Sequence, residues 1–356
     1  MRPTLPHWLA RIAALVTIAL SCSSAPTFAA LAPVGGGLFP YITVTNTDVK
    51  TFGLGGLRGS TNTSGTLTVS GIVNTTPGVV TRAILVWHGP TATGSTANGG
   101  LTVDGHAVVG TLLGVSDDNQ WSELGYTESR TWAADVTDLV AAKGNGAYQV
   151  TNAVNNASAA MNGVSLIVFY DDGNTSNNQD VVLFLGNDSN FNNTFDADGW
   201  NATLSGINYT SGTARLTMIV SDGQTGAGFD DEGFSLNGTV IRSPGVNFDG
   251  ASVPVRPGSV VTNGGLWDHI SYDVTSVMSS SVHTLTLTST PVAGPRDALS
   301  LIGAMFTLPV GAVQPPVTTQ TVVGVPTLSD SALAVLMLVT LTFGAVVLRR
   351  RRVLAE

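Results

Sequence analysis

Hydrophobic and polar positions between residues 31 and 310 follow two patterns: alternation, and short apolar runs closed by Gly, Asn or Asp. Alternation is typical of strands with one exposed face, and a short closed apolar run is typical of a strand buried on both faces. No helical period lasts longer than a turn or two. The patterns therefore predict an all-β chain, with strands at residues 41–47, 65–73, 82–87, 100–103, 149–152, 163–170, 181–185, 214–220, 234–236, 284–288 and 299–308.

A series of five short elements occurs twice in the same order. The first copy comprises residues 83–87, 101–105, 132–140, 148–151 and 163–169, and the second comprises 216–220, 234–238, 270–278, 283–287 and 298–303. Corresponding elements begin 133 to 138 residues apart. A fixed order at a nearly fixed offset indicates a duplicated unit. We therefore expect two tandem β-sandwich domains of jelly-roll-like topology, residues 31–178 and 179–310.

Two of the repeated elements have a predicted local structure. Asp104-Gly105 and Asn237-Gly238 each end a short strand and offer the positive φ angles that a tight hairpin needs. Asp135 and Asp273 each precede a Val-Thr pair, and we expect each carboxylate to cap a short helical turn. Both features predict structural rather than chemical roles for these residues.

Residues 1–30 have the order of a secretory signal peptide. Arg2 and Arg11 are followed by small residues that end in Ala29 and Ala30, and an apolar run, 12–20, begins directly after Arg11. We expect cleavage after one of these two alanines. Cys22 is the one cysteine of the chain, and a lipid-attachment site at residues 19–22 is the alternative interpretation. An exported chain without disulfides must depend on its apolar core.

The other end of the sequence predicts a membrane span. Residues 332–348 form an uncharged apolar run that is followed directly by Arg349, Arg350, Arg351 and Arg352. A helix of that length is about 25 Å long, enough to cross a thin hydrocarbon layer. Arginine clusters stay on the cytoplasmic side, so we expect the amino-terminal part to be exported. A buried core helix is the alternative.

The residues just before this run carry a more specific signal. Val325, Pro326, Thr327 and Leu328, the apolar helix and the terminal arginines together resemble the IPTL-CTERM sorting tail of Gram-negative bacteria, which is similar to PEP-CTERM tails. The resemblance covers residues 325–356. It implies export, a transient or permanent anchor in the inner membrane, processing by an exosortase-like sorting peptidase, and delivery to the cell surface or the extracellular space. Residues 311–324, rich in Pro, Thr and Val, would form an extended spacer.

Composition and charge exclude one class of partner. The chain has a formal net charge of −9, and residues 31–324 contain 22 acidic and 9 basic residues, a net of −13. The only lysines are Lys50 and Lys143. Because neutralising phosphates needs clustered Lys and Arg, we expect no nucleic-acid binding.

Short acidic loops raise the question of calcium, whose ligands are hard oxygen atoms. The candidate loops are 171–174, 188–192 with 196–199, and 230–232. The middle loop starts like an EF-hand but has Asn193 in place of the turn glycine and Gly199 in place of the bidentate Glu. Asx turns explain the same residues without an ion. Structural calcium therefore stays open, and we assign no metal ligand and no cofactor.

No catalytic motif is present. His88, His106, His269 and His283 lack the short spacing of zinc ligands, and the sequence has neither a Gly-x-Ser-x-Gly elbow nor a phosphate-binding loop. A Ser-His-Asp site is left open, because triads assemble across a fold. Asp135 with Asp138, and Asp230 with Glu232, are the carboxylate pairs considered for glycoside hydrolysis, and Trp121, Trp200 and Trp267 are candidates for stacking on sugars.

The sequence thus predicts an exported cell-surface or extracellular-matrix protein that is not an enzyme and that acts in adhesion or matrix association. A surface polysaccharide is a possible partner class. The alternative is a secreted carbohydrate-binding or carbohydrate-active protein that resembles a glycoside hydrolase.

Overall fold

A computed structural model describes residues 36–59, 64–72, 79–116, 125–195, 197–226, 228–290 and 296–313. These residues belong to one unit, and residues 316–356 lie outside the described part. The predicted signal peptide, the predicted sorting tail with its membrane helix, and most of the predicted spacer also lie outside it. Within the described ranges, no helix has the length and apolar character that a membrane span requires.

The fold is all-β, as predicted. The strands are β1 (Gly37–Leu54), β2 (Gly65–Val69), β3 (Val80–Thr91), β4 (Gly100–Val103), β5 (His106–Val109), β6 (Thr111–Ser116), β7 (Glu128–Asp135), β8 (Gly146–Thr151), β9 (Gly163–Tyr170), β10 (Gln179–Ser189), β11 (Asn201–Tyr209), β12 (Arg215–Ser221), β13 (Gly233–Leu236), β14 (Thr239–Arg242), β15 (Trp267–Asp273), β16 (Val282–Thr290) and β17 (Ser300–Pro309). A helix α1 (Thr137–Lys143) follows β7, and a 3₁₀ turn (Thr275–Val277) follows β15.

Three antiparallel sheets contain all of these strands. The large sheet has nine strands in the order β15-β12-β17-β10-β1-β9-β3-β7-β6. The two small sheets are β2-β8-β4-β5 and β11-β16-β13-β14. We call β2 to β9 the first half and β10 to β17 the second half. The large sheet runs through both halves, because β1 pairs with β10 on one side and with β9 on the other.

The repeated elements hold equivalent places in the two halves. The order β9-β3-β7 in the large sheet corresponds to β17-β12-β15, and β8-β4-β5 corresponds to β16-β13-β14. Ala83 donates its amide to Thr137 Oγ1 at 2.9 Å, and Ala214 donates to Thr275 Oγ1 at the same distance. Ala214 therefore holds the place of Ala83, and it lies two residues before the position that the sequence pattern indicated.

The predicted hairpin residues adopt the expected conformation. The φ angles are 50° at Asp104 and 81° at Gly105, and 52° at Asn237 and 74° at Gly238. The capping prediction is modified. Asp135 accepts the amide of Thr137, which is itself the first residue of α1, and Val136 holds the N-cap position without a side-chain cap. The carboxylate therefore forms an Asx turn just before the helix.

Strand β1 changes partner at a corner. Residues 37–47 pair with β10, residues 48–54 pair with β9, and the register shifts between Val44 and Thr47. Asn46 lies in this shift with a φ of 52°, a left-handed conformation that Asn tolerates better than most residues. Gly37, at the start of β1, lies beside Asn187, and Asn187 donates a hydrogen bond to Ser129 of the first half. The two ends of β1 therefore lie at the same end of the large sheet.

Three apolar cores follow from this arrangement. One includes Leu85 and Trp87 and lies under the first small sheet; the second includes Phe184 and Phe306 and lies under the second small sheet. The third core joins the reverse faces of the two halves and contains Ile84, Val86, Ile167, Leu183 and Ile219. Alternate residues of one strand thus belong to different cores, which explains the continuous apolar runs of β3, β9 and β10. Full burial of one such side chain stabilises the folded state by about 1.5–3 kcal/mol.

Candidate functional site

Buried polar side chains collect at one end of the large sheet, which we call the polar end. There β3, β10 and β12 finish, and β7, β9, β15 and β17 begin, as their register shows. The polar end is built from both halves and includes Arg58, His88, Asn162, Ser221, Asp222, Asp231, Asp268 and Asp297, all less than a tenth exposed. A buried polar group needs a hydrogen-bonding or charged partner, so the contacts of these residues show which parts of the fold they hold together.

A chain of hydrogen bonds crosses from the first half to the second. His88 Nδ1 lies 2.8 Å from Ser221 Oγ, and Asn162 Nδ2 donates to the same oxygen at 2.7 Å. Arg58 donates from Nε to Asn162 Oδ1 at 2.7 Å and forms an ion pair with Asp222 at 2.8 Å. The network joins β3 and the loops before β2 and β9 to the end of β12.

This network contains a Ser-His contact but not a catalytic triad. Burial, together with the charge of Arg58, lowers the pKa of His88 to about 3, so the imidazole is neutral. Asp222 pairs with Arg58 rather than with His88. Ser221 has no exposed surface. A serine nucleophile must reach its substrate and a histidine must accept its proton, and here both groups are closed to solvent.

Asp231 and Asp297 are fully buried carboxyl groups in the second half. Asp231 Oδ2 accepts the amides of Asn247 and Phe248. Burial, the largest cause, raises the pKa of Asp231 to about 7 against the effect of these two hydrogen bonds. Burial, the largest cause, and the nearby carboxylates of Asp222 and Asp231 together raise the pKa of Asp297 to about 9. Asp297 is therefore protonated at neutral pH.

The same acids tie loops together. Asp297 Oδ2 accepts the amide of Gln224 at 3.2 Å, and Asp268 accepts the amide of Gly250 at 2.8 Å and the hydroxyl of Ser252 at 2.6 Å. Burial raises the pKa of Asp268 as well. In a segment without cysteine, these carboxyl groups hold the loops after β12 and before β15 and β17 in place.

Two of the predicted acidic loops meet at an arginine. Arg296 pairs with Asp198 at 2.6 Å and with Glu232, so it joins loop 196–199 to loop 230–232. Asp188 instead accepts the amide of Asn201 at 3.1 Å. These acids therefore contact arginine and backbone groups of neighbouring loops.

The remaining predicted acidic loop does gather carboxylates. Asp171 and Asp172 lie beside Asp48 of β1, with ligand oxygens within 4.8 Å of one another. Asp48 accepts the amide of Asp172 at 3.0 Å, and Asp172 accepts the amide of Asn174 at 2.7 Å. Burial raises the pKa of Asp48. The oxygen set has the chemistry that calcium prefers, but the Asx-turn hydrogen bonds account for the loop, so calcium stays a prediction.

A second feature, which we call the groove, opens on the first half between β5 and α1 with a volume of about 880 Å³. Its polar rim contains Asp104, His106, Asp135, Asp138 and Lys143, and its apolar lining includes Val108, Ala134, Val136 and Leu139. The predicted pair Asp135 and Asp138 is therefore brought into one concavity. The other predicted pair is separated: Glu232 is buried and bonded to Arg296, and Asp230 is exposed.

Several charges of the groove are paired. Lys143 Nζ lies 2.5 Å from Asp104 Oδ2, and Arg82 lies 3.5 Å from Asp135. Burial alone would raise the pKa of Asp104, but the hydrogen bonds from Lys143 and from the amide of Gln149 together lower it. Asp135 and Asp138 are both exposed. The open groove can therefore bind a ligand through charge and apolar contact.

The predicted sugar-stacking tryptophans are not platforms in the described residues. Trp200 is 1% exposed and packs against Phe248, with ring centroids 5.7 Å apart. Trp267 is fully buried and donates its indole N–H to Ser165 Oγ at 2.9 Å. Both predictions were wrong, because strand ends and loops at the polar end pack into the cores. Trp121 lies outside the described residues.

Sequence reasoning missed Arg58, Asn162, Asp268 and Asp297. None belongs to a motif, and each acts through a partner remote in sequence or through a loop amide. One feature of the sequence could have indicated Asp297. It directly precedes the apolar run that continues into β17, and an acidic residue next to a buried strand is itself expected to be buried.

Comparisons with known proteins leave the family open. No protein-family model and no curated protein matches the chain. A crystal structure of peptide-N(4)-(N-acetyl-β-D-glucosaminyl)asparagine amidase is similar at 11% identity and a TM-score of 0.22, covering 75% of this chain and 98% of the other. The extracellular domain of ANXUR2 from Arabidopsis thaliana is similar at 11% identity and a TM-score of 0.24, covering 73% and 83%. TM-scores this low support no inference about the fold or the function of this chain.

Proposed function

We propose that the protein is an exported, non-enzymatic cell-surface or extracellular-matrix protein that associates with its partner through the groove. Its two halves would be tandem β-sandwiches of jelly-roll-like topology. The observation that carries the proposal is the contrast between the two polar regions. The open one is a groove of about 880 Å³ with charged and apolar lining, whereas the Ser-His contact and the raised-pKa acids lie in the closed one.

The sorting part of the proposal depends on the tail. Val325–Leu328 would be recognised by an exosortase-like sorting peptidase, with residues 332–348 in the inner membrane and Arg349–Arg352 in the cytoplasm. Cleavage would then release the folded part to the surface or the extracellular space. No cofactor is needed for this role, and calcium at Asp48, Asp171 and Asp172 would be structural.

One observation favours a second candidate, a carbohydrate-active hydrolase. A general acid must hold a proton near neutral pH, and Asp231 and Asp297 have pKa values raised to about 7 and about 9. Both carboxyl groups are at most 1% exposed and accept backbone amides, so substrate would require the loops above them to open.

Retention and turnover separate the two candidates. The full chain, purified in mild detergent, is incubated with surface material isolated from the producing cells, and the bound protein and released sugars are both measured. We expect specific retention without release of sugar. Release that is abolished in Asp297→Asn or Asp231→Asn, with the fold intact, would establish the hydrolase instead. A glycan array identifies whether the retained component is a polysaccharide.

A further inference from the structure

Strand β5 has an open edge. In the small sheet β2-β8-β4-β5 it pairs with β4 through residues 106–109, and within the described ranges no strand pairs with its other side. An edge strand presents backbone N–H and C=O groups that can pair with another extended segment. Val109, at the end of β5, is 82% exposed.

The groove lies along this edge. It contacts His106, Ala107, Val108 and Val109 in succession. Since successive side chains of a strand point to opposite faces, a concavity that contacts all four lies beside the strand rather than over one face. The facing wall is α1, which contributes Asp138, Leu139, Ala142 and Lys143, the i and i+4 positions of one helix face. The space between an edge strand and a helix suits a single extended segment.

The charge of the groove selects the segment. Three carboxylates, Asp104, Asp135 and Asp138, line it together with one lysine; Lys143 is held by Asp104, and Arg82, which lies outside the lining, is 3.5 Å from Asp135. Asp135 and Asp138 are exposed at the other end of the helix wall. Lysine or arginine side chains would complement these carboxylates, and the valine at the rim would contact an apolar side chain.

The second half lacks the same constellation. At the matching offsets it has Asn237 for Asp104, Arg242 for Val109 and Ser276 for Asp138. A 3₁₀ turn of three residues stands where the first half has α1. The acidic groove is therefore a property of the first half, and the second half supplies matched control positions.

We propose that the groove binds an extended, basic segment of a partner protein, which adds to β5 as a fifth strand and places its Lys or Arg side chains against Asp135 and Asp138. The inference rests on the proposed function, because it names the partner class for the same groove. Backbone pairing with β5 would supply affinity, and the carboxylates would supply selectivity for basic residues.

The test uses a labelled hexapeptide of alternating valine and lysine and the full chain in mild detergent, with binding followed by fluorescence anisotropy. A valine–glutamate peptide keeps the strand propensity and reverses the charge. A valine–lysine peptide N-methylated on alternate residues keeps the charge and removes the donors on one edge. We expect only the unmodified valine–lysine peptide to bind, and the amide exchange of residues 106–109 to slow. Equal binding of the methylated peptide overturns strand addition.

Two variants locate the binding. Asp138→Lys reverses an exposed charge, and we expect an affinity loss of about tenfold, since one pair is lost and one repulsion gained. Ser276→Lys adds a lysine at the matched position of the second half and should leave binding unchanged. Equal affinities in both variants place the peptide elsewhere and overturn the proposal. Self-association of the chain that Asp138→Lys abolishes would make a second copy the occupant and would overturn a separate partner.

The outcome also separates this inference from the proposed function. Retention on surface material without binding of the valine–lysine peptide leaves the surface function standing and overturns the basic-peptide inference. Peptide binding without retention supports the inference and contradicts the surface function.

Discussion

His88 Nδ1 lies 2.8 Å from Ser221 Oγ. His88 follows Ile84 and Val86 at alternate positions of β3, Ser221 follows Ile219 in the same way on β12, and these three apolar residues belong to the third core. The contact therefore lies where the two copies face each other across the third core. A neutral imidazole suits that place, because an imidazolium beside Arg58 would be buried without compensation.

The first prediction concerns this contact. His88→Ala removes a buried ring and leaves Ser221 with one hydrogen-bond partner fewer, so we expect the free energy of unfolding to fall by about 2–4 kcal/mol. Urea unfolding of His88→Ala, Ser221→Ala and the double variant gives the coupling energy. A coupling of about 0.5–3 kcal/mol is expected for residues in contact. Strict additivity of the two single effects would show that the contact does not join the halves.

The second prediction concerns the buried ion pair. Arg58→Met leaves the Asp222 carboxylate without its guanidinium, and we expect a loss of about 3–5 kcal/mol in unfolding free energy. Asp222→Asn removes the charge and retains the left-handed backbone at φ 81°, which Asn tolerates. Thermal unfolding should therefore show the double variant more stable than Arg58→Met alone. A double variant as unstable as the sum of both changes argues against an electrostatic origin.

The third prediction is a pH dependence. The pKa of Asp297 is raised in the folded state to about 9 from its ordinary value of 3.8, so between these values the folded state binds more protons than the unfolded state. The contribution of this carboxyl to stability is complete below pH 4 and declines as the pH rises to about 9. The contribution of Asp231 to stability has the same sign and declines as the pH rises to about 7.

Urea midpoints measured from pH 5 to pH 9 check this dependence. The wild-type midpoint should fall across the range, and Asp297→Asn should fall less steeply above pH 7, because it has no proton to lose. The test compares the slopes of the urea midpoint against pH and not the absolute stabilities, because the Asn side chain of the variant also changes one hydrogen bond. An identical slope in the variant would mean that Asp297 is ionised in the folded protein.

The fourth prediction concerns the packing of the two halves. A Cβ on Gly163 of β9 would lie 2.5 Å from ring atoms of Trp267 in the second half, whereas a Cβ on Gly105 would meet nothing within 4 Å. Gly163→Ala should therefore lower stability by about 1–3 kcal/mol through overpacking. Gly105→Ala, a control with a left-handed φ, should cost about 1 kcal/mol from the backbone alone. Calorimetry that ranks the two in the opposite order contradicts the packing described for the halves.

The sequence predicted most of the apolar strands but not the extent of the large sheet. The run at residues 163–170 matches β9, because its apolar residues are continuous and closed by turn residues. Strand β1 was predicted at residues 41–47 but extends over residues 37–54, since its exposed positions and its corner at Asn46 interrupt the pattern. Strand β11, with polar residues at its exposed positions, was not predicted.

The two candidate regions were predictable to different degrees. Asp135 and Asp138 were identified as a possible pair because they are close in sequence, and the groove contains both. The polar end was not predicted, because residues such as Arg58 and Asp222 meet only when the two halves pack together. No local pattern encodes a contact that the tertiary fold creates between remote loops.

The most direct test of the account is the fraction of exported protein that stays on the producing cells when the groove is filled. Ala142 is exposed on the groove wall, and Ala251 is exposed in the second half, away from the groove. The full chain is expressed as wild type, Ala142→Trp, Asp138→Lys and Ala251→Trp, and immunoblots quantify the cell-bound and released protein. The account predicts that Ala142→Trp and Asp138→Lys are released and that Ala251→Trp stays bound like the wild type. Equal retention of all four proteins would contradict association through the groove.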